Sequence, residues 1–341
     1  MLYWHRLPFA VRFLRTKRIK YSPIWPYKNK NMEIQTQLEI IIPTYNRKEH
    51  LRRTLTQLTA SESPVRELSI TVLDNASTDG SSELIEVFAT HHANVKHIRH
   101  PKNIGGNGNI ARCFELARAP YVWVVCDDDS FRWEAWPEIE TALQTNRYDI
   151  LLTRKDDLKG TSELAKIVRQ LTFLPAGIFR TANITSGVLM NMLANIPNMF
   201  PHLALTCEVL NHKGTIFLPQ GEIMDKCTFD TKISGDEWNL KGYDAYAPAV
   251  LQNMFWTVGF LNSLQMIEDP KLRAYVIDNL GRHGFLGYII GAFRKNYTRF
   301  GSSKLNEAFI KSDLNARQRF EFFWAQLFLK IVTLFNRRKR I

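Results

Sequence analysis

Tyr121-Val122-Trp123-Val124-Val125-Cys126-Asp127-Asp128-Asp129-Ser130 is an apolar run that stops abruptly in three carboxylates. Aliphatic and aromatic residues without alternation suit a strand buried on both faces, as in a parallel sheet covered by helices. The acids then stand at the strand's carboxyl end, the edge where open α/β sheets bind ligands. Three adjacent Asp side chains repel one another unless a cation or several donors offset them. With no His nearby and only Cys126 as a soft neighbour, the cluster suits Mg²⁺ or Mn²⁺ better than Zn²⁺. The competing reading is an acidic turn, with Asp129 or Ser130 as a helix cap.

Upstream, the same pattern recurs. Leu38 to Ile42 reads as a strand ended by Pro43-Thr44-Tyr45-Asn46, with Asn46 placed to cap a helix bearing Leu51, Leu55 and Leu58. Leu68 to Leu73 is a second strand, ended by Asp74-Asn75-Ala76-Ser77-Thr78-Asp79-Gly80. Val95 to Ile98 is a third, followed by Pro101 to Asn109 and a helix bearing Ile110, Phe114 and Leu116. Strands alternating with helices predict an α/β fold with a mostly parallel sheet, and the three polar turns then share one edge.

The chain has 341 residues, 45% of them hydrophobic, enough for one large core or two moderate ones. Its net charge of +12 lies at the ends: residues 1–31 contribute +8 and residues 317–341 contribute +6, leaving about −2 for the body. That distribution argues against a nucleic-acid groove. Four scattered cysteines indicate neither a disulfide framework nor a zinc site. No secretory signal and no transmembrane span are expected. Residues 1–31, basic and aromatic, suit either an anionic membrane surface or an extension upstream of a start at Met32.

Gly106-x-Gly108-x-x-Ala111 matches a dinucleotide fingerprint, but Pro101 to Ile104 separate it from its strand. The acids that follow form a triplet, not a single ribose-binding residue, which disfavours a dehydrogenase.

Taken together, Pro43 to Arg47, Asp74 to Gly80, Asn103 to Asn107 and Asp127 to Asp129 resemble the motifs of family 2 glycosyltransferases with the GT-A (Rossmann-like) fold. The similarity extends to bacterial enzymes of O-antigen and capsule assembly, including abequosyltransferase-like ones. It implies a nucleotide-sugar donor, with Pro43, Thr44, Tyr45, Asn46 and Asp74 near base and ribose. It also implies that Asp127 and Asp129 are the outer acids of an Asp-x-Asp motif holding Mg²⁺ or Mn²⁺, with Asp128 between them facing the donor. Asn103 and Asn107 lie on a loop that could approach the donor, and Arg112, a turn further on, could reach a phosphate or be a surface residue. The resemblance divides the chain into an N-terminal extension (1–31), a catalytic domain (32–245) with donor (32–135) and acceptor (136–245) halves, and a helical C-terminal region (246–341).

Inverting transfer also needs a base for the acceptor hydroxyl. Where the family commonly has an acid at a helix start, this chain has His202. Asp236, in Ser234-Gly235-Asp236-Glu237-Trp238, is the second candidate. The resemblance further implies a polyprenyl-linked glycan acceptor at the inner, cytoplasmic face of the membrane. Phe320, Phe323, Trp324, Leu327, Phe328, Ile331 and Phe335 follow helical spacing ahead of Arg337-Arg338-Lys339-Arg340, which predicts an amphipathic helix lying on a membrane or packed against the body.

Overall fold

The computed structural model describes residues 34–154, 162–224, 257, 259–280, 284–295 and 314–338. Seven strands are present among them: β1 (Leu38–Thr44), β2 (Ser69–Asp74), β3 (Val95–Arg99), β4 (Tyr121–Val124), β5 (Ile150–Leu152), β6 (Gly177–Arg180) and β7 (Ile216–Phe217). The sheet order is β3-β2-β1-β4-β6-β5-β7. All pairings are parallel except the two made by β6. The helices α1 (Lys48–Thr59), α2 (Ser81–His91), α3 (Gly106–Leu116) and α4 (Trp136–Thr145) follow the first four strands in turn. The expected α/β architecture is therefore present.

Alternate residues of the central strands enter opposite layers. Ile40, Ile42, Tyr121 and Trp123 pack with Leu51 and Leu55 of α1 and Ile139 and Leu143 of α4. Ile41, Val122 and Val124 join Phe114 of α3 and Phe179 of β6 on the other face. Both faces of β4 are thus dry, which is why its sequence shows no alternation. Trp123 is fully buried and donates Nε1–H to the Pro175 carbonyl at 2.9 Å. Replacing it by Ala removes both the ring and that bond, at about 3–5 kcal/mol.

Further helices among the described residues are α5 (Glu163–Gln170), α6 (Ser186–Ala194), α7 (Leu203–Asn211), α8 (Pro270–Asp278), α9 (Gly284–Lys295) and α10 (Ala316–Arg338). Phe260, Val276, Phe285 and Phe322 enter the same apolar layer as α3 and α7, so these late helices share the core of the sheet. No helix among the described residues is long and apolar enough to cross a membrane.

The order β3-β2-β1-β4 fixes the site. The chain steps outward from β1 to β2 and β3, then returns to lay β4 on the other side of β1. Helices after β1 and β4 therefore diverge to opposite ends of the sheet, which opens a crevice at the carboxyl ends of those two strands.

Candidate functional site at the β1–β4 crevice

Thr44 ends β1 and Asp127 follows β4, and the Thr44 hydroxyl donates to Asp127 Oδ2 at 2.7 Å. The acidic turn is closed from within: the Cys126 N–H donates to Asp129 Oδ2 at 2.7 Å. Helix α1 holds it from behind. Thr54 Oγ1 donates to the Asp127 carbonyl at 2.9 Å, and Gln57 Nε2 donates to the Asp129 carbonyl at 3.3 Å. Buried carbonyls that a turn leaves without ladder partners are satisfied this way.

Arg47, in the turn after β1, is the cation that reaches the acids across the crevice. Its Nε lies 2.9 Å from Asp127 Oδ1 and its Nη2 2.5 Å from Asp128 Oδ2. Arg154, just after β5, adds a second positive charge close enough to lower the Asp129 pKa. Burial acts the other way and is the largest influence, followed by the charge of Asp128; together they raise the Asp129 carboxyl well above the usual range.

The resemblance assigns the metal to Asp127 and Asp129, and the geometry adds Asp128 as a candidate ligand. Both Asp127 oxygens already face Thr44 and Arg47. Cys126, Asp128 and Asp129 instead bring one ligand atom each within 4.8 Å of one another. Asp129 Oδ1 is buried with no hydrogen-bond partner. A buried carboxylate oxygen without a donor is costly, and a bound cation would offset that cost. The Cys126 thiol is a soft ligand, so the hard donor set is Asp128 with Asp129, which fits Mg²⁺ or Mn²⁺.

Other expected site residues serve the frame of the crevice. Asp74 is fully buried and accepts from the Ser77 N–H at 2.8 Å and from Ser82 Oγ at 2.5 Å. Burial alone would raise its pKa, but the His97 ring, with Nε2 3.7 Å away, and hydrogen bonds from Ser77 and Ser82 hold it well below the carboxylate range. It shows no surface to a base or ribose. Asn46 does not cap α1: its φ is 51°, and its Oδ1 accepts from the Thr78 N–H at 2.7 Å. Asp79 supplies the cap function instead, accepting from the N–H groups of Lys48 at 2.9 Å and Ser81 at 3.0 Å. The turns after β1 and β2 are thereby stitched together.

Pro43 and Tyr45 are half-buried beside Thr44. Asn103 is exposed, and its Oδ1 accepts from Asn75 Nδ2 and the Gly105 N–H, both at 2.8 Å. Gly105, with φ 81°, has open space where a Cβ would stand, as does Gly106, so backbone is accessible at the start of α3. Asn107 turns away, donating to the carbonyls of Ile196 at 2.8 Å and Asn198 at 3.1 Å. Arg112 pairs with Glu115 on its own helix, as a surface residue would.

His202 is not placed to act as a base. It is 2% exposed, and its Nε2 donates to the Leu171 carbonyl at 2.9 Å, which leaves the lone pair on Nδ1, itself buried without a partner. Burial lowers its pKa to about 4, against the raising effect of the Leu171 and Thr172 backbone. Asp236 lies outside the described residues. Sequence reasoning missed Arg47 as partner of the acids, and Thr54, Gln57 and Arg154 altogether. Thr54 and Gln57 flank Leu55 and Leu58 on α1, so their spacing toward the apolar face was the available signal.

The architecture is the GT-A type. A mannosyltransferase from Pyrobaculum calidifontis, solved in complex with GDP-Man and Mn²⁺, superposes with a TM-score of 0.52 at 12% identity, covering 93% of this chain and 91% of that one. This likeness is one of fold. Residues 39–194 match Glycosyl transferase family 2. Abequosyltransferase RfbV of Salmonella typhimurium is 31% identical over 120 residues, 35% of this chain and 36% of that protein. The poly(ribitol-phosphate) beta-N-acetylglucosaminyltransferase TarS of Staphylococcus aureus is 24% identical over 179 residues, 50% of this chain and 31% of that protein. The chain thus spans about a third of the length of these curated relatives.

Proposed function

We propose that the protein is an inverting glycosyltransferase that moves a sugar from a nucleotide-sugar donor to a glycan acceptor in surface polysaccharide assembly. The observation that carries this reading is the buried, partnerless Asp129 Oδ1 beside Asp128, at the mouth of the crevice between β1 and β4. Mg²⁺ or Mn²⁺ held by these two carboxylates would neutralise the donor diphosphate and the charge that grows on the departing nucleotide. Thr44 and Arg47 orient Asp127, while Thr54 and Gln57 fix the backbone of the turn that carries the two metal-facing acids. Tyr45 and the open backbone at Gly105 and Gly106 line the approach for base and phosphate.

The relative in Salmonella is named as an abequosyltransferase, which supports a sugar-transfer role and an O-antigen type of product. The acceptor in this reading is a polyprenyl-linked glycan, met at the inner face of the cytoplasmic membrane. A non-catalytic nucleotide-sugar-binding protein is the second reading, favoured by the burial of His202 where the family commonly carries an acid. Incubation with a panel of nucleotide sugars and Mn²⁺ separates the two: release of free nucleotide supports transferase chemistry. Donor binding without any release, with or without a polyprenyl-linked acceptor, supports the binding protein.

A further inference from the structure

Helix α10 has two unlike faces. Phe322 and Ala325 are buried in the core, and Gln318 donates from Nε2 to Asp278 Oδ1 at 2.9 Å, which ties that face to α8. Phe320, Phe323, Trp324, Leu327 and Phe328 point outward, each about half or more exposed, Phe323 most at 70%. Their spacing of 3, 1, 3 and 1 residues forms a single stripe along the helix. Five large apolar side chains in one exposed stripe are beyond the scatter of a monomer's surface and mark a contact surface.

Charge selects its occupant. After Glu321 the sequence has no acid, while Lys330, Arg337, Arg338, Lys339 and Arg340 follow. Pairing two copies of this stripe would offer no acid to that basic run. An anionic lipid surface satisfies both features, taking the rings into its headgroup boundary and the cations onto its phosphates. We propose that the outward stripe of α10 is a docking surface for an anionic membrane, with the helix lying in the interface and its opposite face anchored on the body of the protein. The inference rests on the helix alone and stands independently of the donor chemistry.

Flotation of the full chain with vesicles tests it. Binding to phosphatidylglycerol-containing vesicles, absent with pure phosphatidylcholine and weakened by salt, is expected. The triple variant Phe323→Ser, Trp324→Ser, Phe328→Ser should bind about 1,000-fold more weakly, since burying each ring contributes roughly 10-fold. Neutralising Arg337, Arg338, Lys339 and Arg340 to Gln should weaken binding by roughly fivefold per charge, from about 1 kcal/mol each. Phe323, Trp324 and Phe328 lie away from the core, and an unchanged melting temperature verifies the fold of each variant. Absence of wild-type binding to anionic vesicles overturns the proposal, and needs no variant. So does a self-associated wild type that the triple serine variant converts to monomer.

Discussion

Arg47→Gln is the perturbation that separates a structural acidic turn from a cation site. Arg47 contacts two of the three carboxylates, and it is partly exposed whereas the Asp127 side chain is 9% exposed. An exposed pair contributes about 0–1 kcal/mol, while removing one partner of a fully buried pair costs about 3–5 kcal/mol. This pair lies between those limits, so without metal the variant should lose about 2 kcal/mol, or about 3 °C of melting temperature for a chain this size. Mn²⁺ should act in the opposite sense. Arg47 occupies Asp128 Oδ2, so a cation that needs Asp128 competes with it. Removing it should tighten Mn²⁺ binding by about fivefold to tenfold, because about 1 kcal/mol of competing interaction disappears. Differential scanning fluorimetry across an Mn²⁺ titration reads both effects on one sample. The reasoning is refuted if the variant melts as the wild type does, or if its Mn²⁺ affinity falls.

Three further outcomes are expected. His202 has a folded-state pKa near 4, below its ordinary 6.5, so its neutral form stabilises the fold. That contribution is complete above pH 6.5, is lost as pH falls toward 4, and amounts to about 3 kcal/mol. In urea melts, His202→Gln should flatten the pH dependence in this window, and it should leave turnover at pH 7.5 within about threefold; a loss of about 10²-fold or more would restore the base assignment. Asp74→Asn should cost about 2–3 kcal/mol by thermal melting, since a charged acceptor of the Ser77 and Ser82 donors becomes an amide; a variant as stable as the wild type contradicts the framing role. Thr54→Val, which removes the hydroxyl that holds the Asp127 carbonyl, should lower Mn²⁺ affinity by about tenfold and cost about 1–3 kcal/mol of stability. Calorimetric titration with Mn²⁺ measures that directly, and an unchanged affinity rejects the supporting role of α1.

The frame of this site was readable because β1, β2 and β4 are buried on both faces, and a continuous apolar run that ends in a polar turn suits little besides a central parallel strand. The site itself was read less well. Asp74 and Asp129 both follow such runs, yet Asp74 turns into the Ser77–Ser82 segment while Asp129 retains an unmatched oxygen. Nothing in composition distinguishes the two, since the difference depends on backbone direction after the strand. His202 was misleading for a related reason: its partner, the Leu171 carbonyl, lies 31 residues away and becomes a neighbour only once α7 packs against the segment after α5. Arg47 stood among several basic residues near the start of α1, and only the placement of β4 beside β1 singles it out.

The central claim is that Asp128 and Asp129 hold a divalent cation that ties a nucleotide-sugar diphosphate to the β1–β4 crevice. Its most direct test is the thermal shift produced by a panel of nucleotide sugars with and without Mn²⁺, in the wild type and in Asp129→Asn. The account predicts that one class of donor raises the wild-type melting temperature only with Mn²⁺, and that Asp129→Asn abolishes the shift while remaining folded. An equal donor shift in Asp129→Asn, or one that does not depend on Mn²⁺, would contradict it.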